Sequence, residues 1–398
     1  MLKRLSPDAA DQHAAIDWVG RAREVAPLIA GAADRIERDR AIADEVLAGL
    51  HDRALFRLLL PRAFGGAEVE PAVYLAVIEE IAKADASTAW CLGQACGGSI
   101  AAAYLPPDVA RDIFGDPRAV VASGPSFGTA IAVEGGYRAS GAWGFASGSK
   151  HAGWLAAHCL VREADGTPRL EADGTPAERT FFFRKDRATF TEIWRVIGLR
   201  GTGSDRFAID DLFVPDDYSY TREAAGERRE SGPLYRISSY HLFGVGFAGV
   251  ALGIARATLD AFVALARAKT PTNAAQTLRD NASVQFQVGL AETRLQAARA
   301  FLVQTLRKIW DVVAAGESVT LDQRASLRMA ITNASQQSRE VVDAAYHAAG
   351  ATAIFDSNVF ERRFRDMHTV SQQVQAHSSN FELIGQHLLG LNPRSKFL

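Results

Sequence analysis

Between Ser140 and Trp154 the chain reads SGAWGFASGSKHAGW: three aromatic rings, four glycines and three serines in fifteen residues, followed by the apolar run LAAHCLV. Large flat rings beside small hydroxyls and open backbone suit two arrangements. One is a flavin, whose ring needs apolar faces and whose heteroatoms need short donors. The other is a β-hairpin with a glycine-rich turn and ordinary core aromatics. A second stretch with chemical potential follows Arg365-Asp366: MHTVSQQVQAH puts His368 five residues before Gln373 and His377 four after it. On a helix the latter pair shares one face. A glutamine can orient a hydroxyl but cannot take its proton, whereas a histidine can.

Three textures of sequence must position these residues. From about Trp18 to Asp116 the apolar spacing is helical, as in ADRIERDRAIADEVLAGLHDRALFRLL with Ile36, Ile42, Val46, Leu47 and Leu50. PRAFGG interrupts it, and Asp85 and Ser87 are candidate N-caps for a following helix. From about Ala119 to Tyr220 short β-rich runs alternate with Gly, Pro and Asp. Within them EADGTP occurs twice between Glu163 and Glu178, each copy with an Asp-Gly turn signal, and reads as an exposed loop. From about Leu234 onward four long amphipathic segments with very little proline suggest a helix bundle. The expected fold is α+β with segregated parts. These are an N-terminal helical domain (1–118), a middle domain of antiparallel strands closed into a barrel or sandwich (119–230) and a C-terminal four-helix bundle (231–398).

Composition narrows the function. A net charge of −2 over 398 residues, with no Lys/Arg run, gives no field for nucleic acid. The first twenty residues lack an apolar core for a secretory signal. HLFGVGFAGVALGIA, about fifteen residues, is too short to span a membrane and reads as a buried helix. Cys91, Cys96 and Cys159 show neither a disulfide framework nor a metal-ligand spacing, so no metal is expected. They read as small buried residues of a cytoplasmic protein.

Three stretches resemble the acyl-CoA dehydrogenase superfamily. FRLLLPRAFGGAEVEPAVYLAVIEEIAKADASTAW is similar to its N-terminal helices, WRVIGLRGTGSDRFAIDDLFVPDDY to the end of its β-domain, and AYHAAGATAIFDSNVFERRFRD to its glycine-rich flavin contact. GGYRASGAWGFASGSKHAGW resembles the branch of two-component flavin-dependent monooxygenases. The dehydrogenases usually carry a lysine, a tryptophan and a flavin-bonding threonine there; this chain has Trp143, Phe145 and Ser147.

The resemblance implies a flavin flanked by Phe145, with Ser147 and Gly148 at its N5 edge. It implies a phosphate held by Arg267 and the Gly350, Ala351 and Thr352 turn of a neighbouring subunit. Dehydrogenation needs a carboxylate base, yet MHTVSQQVQAH holds none and YHLFGVGFAGVALGIARATL has none before Asp260. A hydroxylase needs water excluded and N5 hydrogen-bonded. Where the branch commonly carries a histidine, four residues after the small residue of RDxxT, this chain has Gln373. A second histidine position falls in GQACGGS. Gln373, His377, His368 and Ser123 are therefore the catalytic candidates, with solvated or capping roles open for each histidine. Ser126 and Trp154 are candidates for the substrate, and a core role stays open for Trp154 and Trp90. The implied enzyme takes reduced FMN or FAD, FMN ahead of FAD, from a separate NAD(P)H-dependent flavin reductase. With O2 it would hydroxylate an aromatic compound as a homotetramer. A dehydrogenase or oxidase with a displaced base, and a non-catalytic relative, are the alternatives.

Overall fold

The computed structural model describes residues 16–272, 274–391 and 393; the segment that bears on a secretory signal lies mostly outside them. Among the described residues five α-helices come first: α1 (Trp18–Asp39), α2 (Asp44–Asp52), α3 (Pro71–Ala84), α4 (Ala86–Ser99) and α5 (Pro107–Phe114). Asp85 caps α4, accepting from the Thr88 N–H at 2.7 Å. The middle region forms one seven-stranded sheet from β1 (Val121–Val133), β2 (Gly136–Trp143), β3 (Trp154–Arg162), β4 (Glu178–Arg184), β5 (Thr189–Thr191), β6 (Arg206–Pro215) and β7 (Ser219–Tyr220). Its order is β5-β6-β2-β1-β3-β4-β7.

This corrects the expected middle domain of antiparallel strands closed into a barrel or sandwich. The sheet is open, with β5 and β7 at its edges, and β1 pairs with β3 in parallel. Because β2 folds back along one side of β1, β3 has to reach the other side running in β1's direction. The connection, residues 144–153, therefore crosses the start of β1, where the Gly153 and Trp154 N–H groups donate to the Val120 carbonyl. That crossing carries Phe145, Ser147 and Gly148.

The repeated hexapeptide forms two matching exposed turns between β3 and β4. In each, an Asp side chain accepts from the backbone and hydroxyl of the Thr two residues on: Asp165 from Thr167 and Asp173 from Thr175.

The C-terminal helices are α6 (Ser239–Ala268), α7 (Ala282–Ala314), α8 (Leu321–Ala349), α9 (Val359–Val370) and α10 (Asn380–Leu388). The run HLFGVGFAGVALGIA is thus part of a 30-residue helix, longer than expected, and 83% of its most apolar window is buried in the fold. It packs between α3 and α8. Gly249 and Gly253 make the approach of α3 possible, since a Cβ at Gly253 would stand 2.5 Å from the Glu79 carbonyl oxygen.

The fourth expected helix is broken. Residues 371–379 form turns between α9 and α10, so Gln373 and His377 do not share a helix face. Side chains take carbonyls that a continuous helix would have used. Gln336 donates to Ala376 O at 2.8 Å, and Asn380 to the Val374 and His377 carbonyls at 2.9 Å each.

Candidate functional site

The 144–153 crossing is held from both sides. Ala146 N–H donates to Asp205 O and Gly148 N–H to Thr202 O, so residues 193–205 wrap the loop. Asp205, itself buried, fixes that wrap by accepting from the Ile193 and Trp194 N–H groups at 2.9 and 3.1 Å. Phe145 sits on top, 61% exposed, with the edge of Trp194 at 5.7 Å between ring centroids. Its φ of 58° is left-handed, a conformation that costs a non-glycine residue about 1–2 kcal/mol. A large exposed ring held in a strained backbone has the features of a ligand contact rather than of core.

Beneath it runs a chain of four side chains. Trp90 Nε1 donates to Ser147 Oγ at 3.1 Å; Ser147 and Ser204 hydroxyls are 2.7 Å apart, as are those of Ser204 and Thr202; Thr202 donates to Leu199 O at 2.9 Å. The direction of every proton follows. Thr202 spends its only hydroxyl proton on a carbonyl, so Ser204 must donate to Thr202 and Ser147 to Ser204. Indole N–H only donates, so Ser147 accepts from Trp90. Its remaining lone pair can then only accept.

The bulge in β1 between Ser123 and Phe127 borders this loop. Gly124 lies so close that a Cβ there would meet the Gly144 carbonyl oxygen at 2.4 Å. Ser123 is half-buried and Ser126 exposed beside it. Trp90 stacks on Phe247 of α6 at 4.5 Å. In the GQACGGS segment, Gly97 admits the ring of Phe243, which would stand 2.3 Å from a Cβ; an aromatic ring occupies the side where the resemblance suggested a histidine.

Other candidates stand apart from the loop. Trp154 is buried and stacked on Tyr218 at 5.9 Å. His368 Nε2 pairs with Asp343 at 2.9 Å and its ring packs on Phe364 at 4.3 Å. His377 is exposed, with Nδ1 2.9 Å from Ser379 Oγ. Gln373 Oε1 accepts from the Gln375 N–H at 2.6 Å, and Gln375 Oε1 is buried with no partner, close to Gly244. Asp366, the carboxylate just before this segment, accepts from the Leu199 N–H at 2.6 Å.

Gly350, Ala351 and Thr352 begin a short 3₁₀ turn, Gly350 at φ 62°. Lys269 rather than Arg267 reaches it: Nζ donates to Ala349 O at 2.7 Å and to Thr352 Oγ1 at 2.8 Å, while Arg267 is exposed. Sequence reasoning missed Lys269, Trp90's bond to Ser147, and Ser204. Trp90 and Ser204 lay in stretches that drew notice, but their link to Ser147 did not show in the sequence. The exposed ring, the bordering serines and the acceptor-only Ser147 fit a flavin's apolar faces and polar edge. The cradle at Gly350 with its lysine fits a phosphate.

Residues 18–105 match the family model of the acyl-CoA dehydrogenase N-terminal domain, and residues 245–378 that of the acyl-CoA dehydrogenase C-terminal domain. Indole-3-acetate monooxygenase of Pseudomonas putida is 29% identical over 380 residues, 93% of this chain and 94% of that protein. The flavin-dependent monooxygenase oxygenase subunit HsaA of Mycobacterium tuberculosis is 26% identical over 401 residues, 97% of each. XiaF from Streptomyces sp., solved in complex with FADH2 and glycerol, shares the fold at a TM-score of 0.88 and 23% identity, covering 98% of this chain and 99% of its own.

Proposed function

This chain belongs to the acyl-CoA dehydrogenase superfamily, and within it we propose that it is the oxygenase component of a flavin-dependent aromatic monooxygenase. The observation that carries the reading is the one-way hydrogen-bond chain ending at Ser147. A reduced flavin carries an N–H at N5 and an oxidised flavin does not, so an acceptor-only Ser147 favours the reduced ring. That is the state an oxygenase receives from a separate reductase. Phe145 would cover one face of the ring, and Lys269 with the Gly350 to Thr352 turn of a neighbouring subunit would hold its phosphate, FMN or FAD alike. Once bound, the reduced flavin supplies the electrons that activate O2.

The chain's own residues supply the rest. Trp90 and Ser204 fix the Ser147 hydroxyl, Phe243 and Phe247 make the neighbouring surface apolar, and the 371–379 turns bring amide side chains towards α6. Gln373 and Ser123 are suited to orienting a substrate hydroxyl or ring nitrogen, and Ser126 lies at the rim. A histidine base is not required where the aromatic ring is already electron-rich, as in an indole. The reading includes a homotetramer in the cytoplasm. Exposed apolar side chains such as Phe286, Ile354, Phe355 and Leu389 support an assembly that covers them. MHTVSQQVQAH holds no carboxylate, and Asp366 just before it is committed to the Leu199 N–H, which disfavours acyl-CoA dehydrogenation.

The test is turnover with NAD(P)H, a flavin reductase, FMN or FAD, and isotopically labelled dioxygen, with indole-3-acetate as the first of a panel of aromatics. One labelled oxygen atom in the product is expected. Consumption of NAD(P)H with no labelled product from any aromatic would contradict the reading.

A further inference from the structure

Two supports of the flavin loop end on the same backbone oxygen. Leu199 O accepts from Thr202 Oγ1, which sets the direction of the Ser147 chain, and from Trp194 Nε1, whose ring meets Phe145 edge-on; both bonds are 2.9 Å. Leu199 is buried and left-handed, with φ 52° and ψ 35°. A leucine keeps that conformation only where its surroundings over-determine it. Here the carbonyl side is held by those two donors. The N–H side is held by Asp366 of α9, whose Oδ1 accepts at 2.6 Å. Around that bond the wrap is pressed onto α9: Arg365 donates to the Ile197 carbonyl, and a Cβ at Gly198 would collide with the Arg365 carbonyl oxygen. Rotation about the Leu199 N–Cα bond would carry its carbonyl away from both donors, and the bond to Asp366 opposes that rotation.

We infer that Asp366 is a positioning residue for the flavin: by anchoring the Leu199 N–H it holds the Leu199 carbonyl against Thr202 and Trp194, and so keeps Ser147 an acceptor and Phe145 in place. The inference rests on the monooxygenase reading and deepens it, adding a side chain that acts through a peptide and not on the ring. The strength of the anchor depends on charge, since an ionised carboxylate is the stronger acceptor. Burial pushes the Asp366 pKa up to about 7 against the pull of the Leu199 N–H; Asp85 at the start of α4 and Glu37 of α1 add to the rise, and Arg365 offsets part of it. Arg363 also faces the carboxyl from α9, and Glu37 is itself paired with Arg362 and Arg365. The anchor therefore tightens as pH rises through about 7.

The experiment measures the ratio of reduced to oxidised FMN affinity by anaerobic calorimetry on the full chain at pH 6 and pH 8. Asp366→Asn keeps an acceptor of the same shape without the charge. From pH 6 to pH 8 the wild-type ratio is expected to rise at least about threefold more than that of Asp366→Asn, the flavin's own titration being common to both. Asp366→Ala should lower the ratio at pH 8 roughly tenfold, equivalent to about 30 mV in the two-electron potential of the bound flavin. Adding Ser204→Ala should then lower it no further, because both changes release the same chain of hydroxyls. Equal pH profiles in the wild type and Asp366→Asn, or additive losses in the double variant, overturn the inference. Where circular dichroism shows Asp366→Ala unfolded, the comparison with Asp366→Asn decides alone. A wild-type ratio of one at both pH values counts against the monooxygenase reading itself, whereas a preference for reduced FMN that Asp366→Asn leaves unaltered at both pH values overturns this inference only.

Discussion

Ser147 Oγ lies 2.7 Å from Ser204 Oγ, 57 residues along the chain, and donates its proton to it. The donation is forced by Thr202, whose own proton goes to the Leu199 carbonyl. A hydroxyl that could otherwise point either way is fixed as an acceptor towards the loop above it. Ser204→Ala frees Ser147 to donate. We expect the preference for reduced over oxidised FMN to fall roughly tenfold, the equivalent of one hydrogen bond. Fluorescence titration in both redox states measures it; an unchanged ratio removes the chain from the account.

Phe145 combines exposure with a left-handed backbone. Phe145→Gly relieves the strain and exposes no core. Stability should hold or rise, by up to about 1 kcal/mol, while reduced-flavin affinity falls at least roughly tenfold. Urea melts and flavin titrations of the same preparation separate the two effects. A loss of stability with unaltered binding would make Phe145 a structural residue.

Lys269 and Arg267 stand two residues apart with different reach. Lys269→Met removes two hydrogen bonds at the Gly350 turn and should weaken flavin binding by about 1–3 kcal/mol. Arg267→Met should have the smaller effect. The reverse order would return the phosphate role to Arg267.

Asp366 gives a pH signature. Burial pushes its pKa up to about 7, with Asp85 and Glu37 adding to it and the Leu199 N–H working against it. The folded chain then keeps a proton between about pH 4 and 7 that the unfolded chain releases. Stability from this group falls as pH rises through that window and is level above it. Asp366→Asn keeps an acceptor for Leu199 and should shrink the loss in urea stability between pH 5 and 8 by about 1.4 kcal/mol or more. Identical pH slopes in the two proteins would contradict this.

Much of the architecture was legible because helical and alternating periods differ sharply along the chain. The Asp85 cap and the Asp-Gly turns were readable from local chemistry alone. Other features depend on distant partners. Nothing in VSQQVQAH signals a helix break, since Gln and Ala are good helix formers; the carbonyl of Ala376 is instead taken by Gln336, 40 residues away. The parallel β1–β3 pairing is a property of strand order, which alternation cannot encode. Ser147 drew notice within a serine- and glycine-rich run, but its role as an acceptor needed Trp90, Ser204 and Thr202.

The most direct test of the central claim is anaerobic titration with reduced and oxidised flavin, followed by rapid mixing with oxygenated buffer and absorbance recording. The account predicts that reduced flavin binds more tightly than oxidised, and that bound flavin reoxidises more slowly than free flavin because the site controls its reaction with oxygen. Equal binding of the two states, with reoxidation as fast as in buffer, would contradict it.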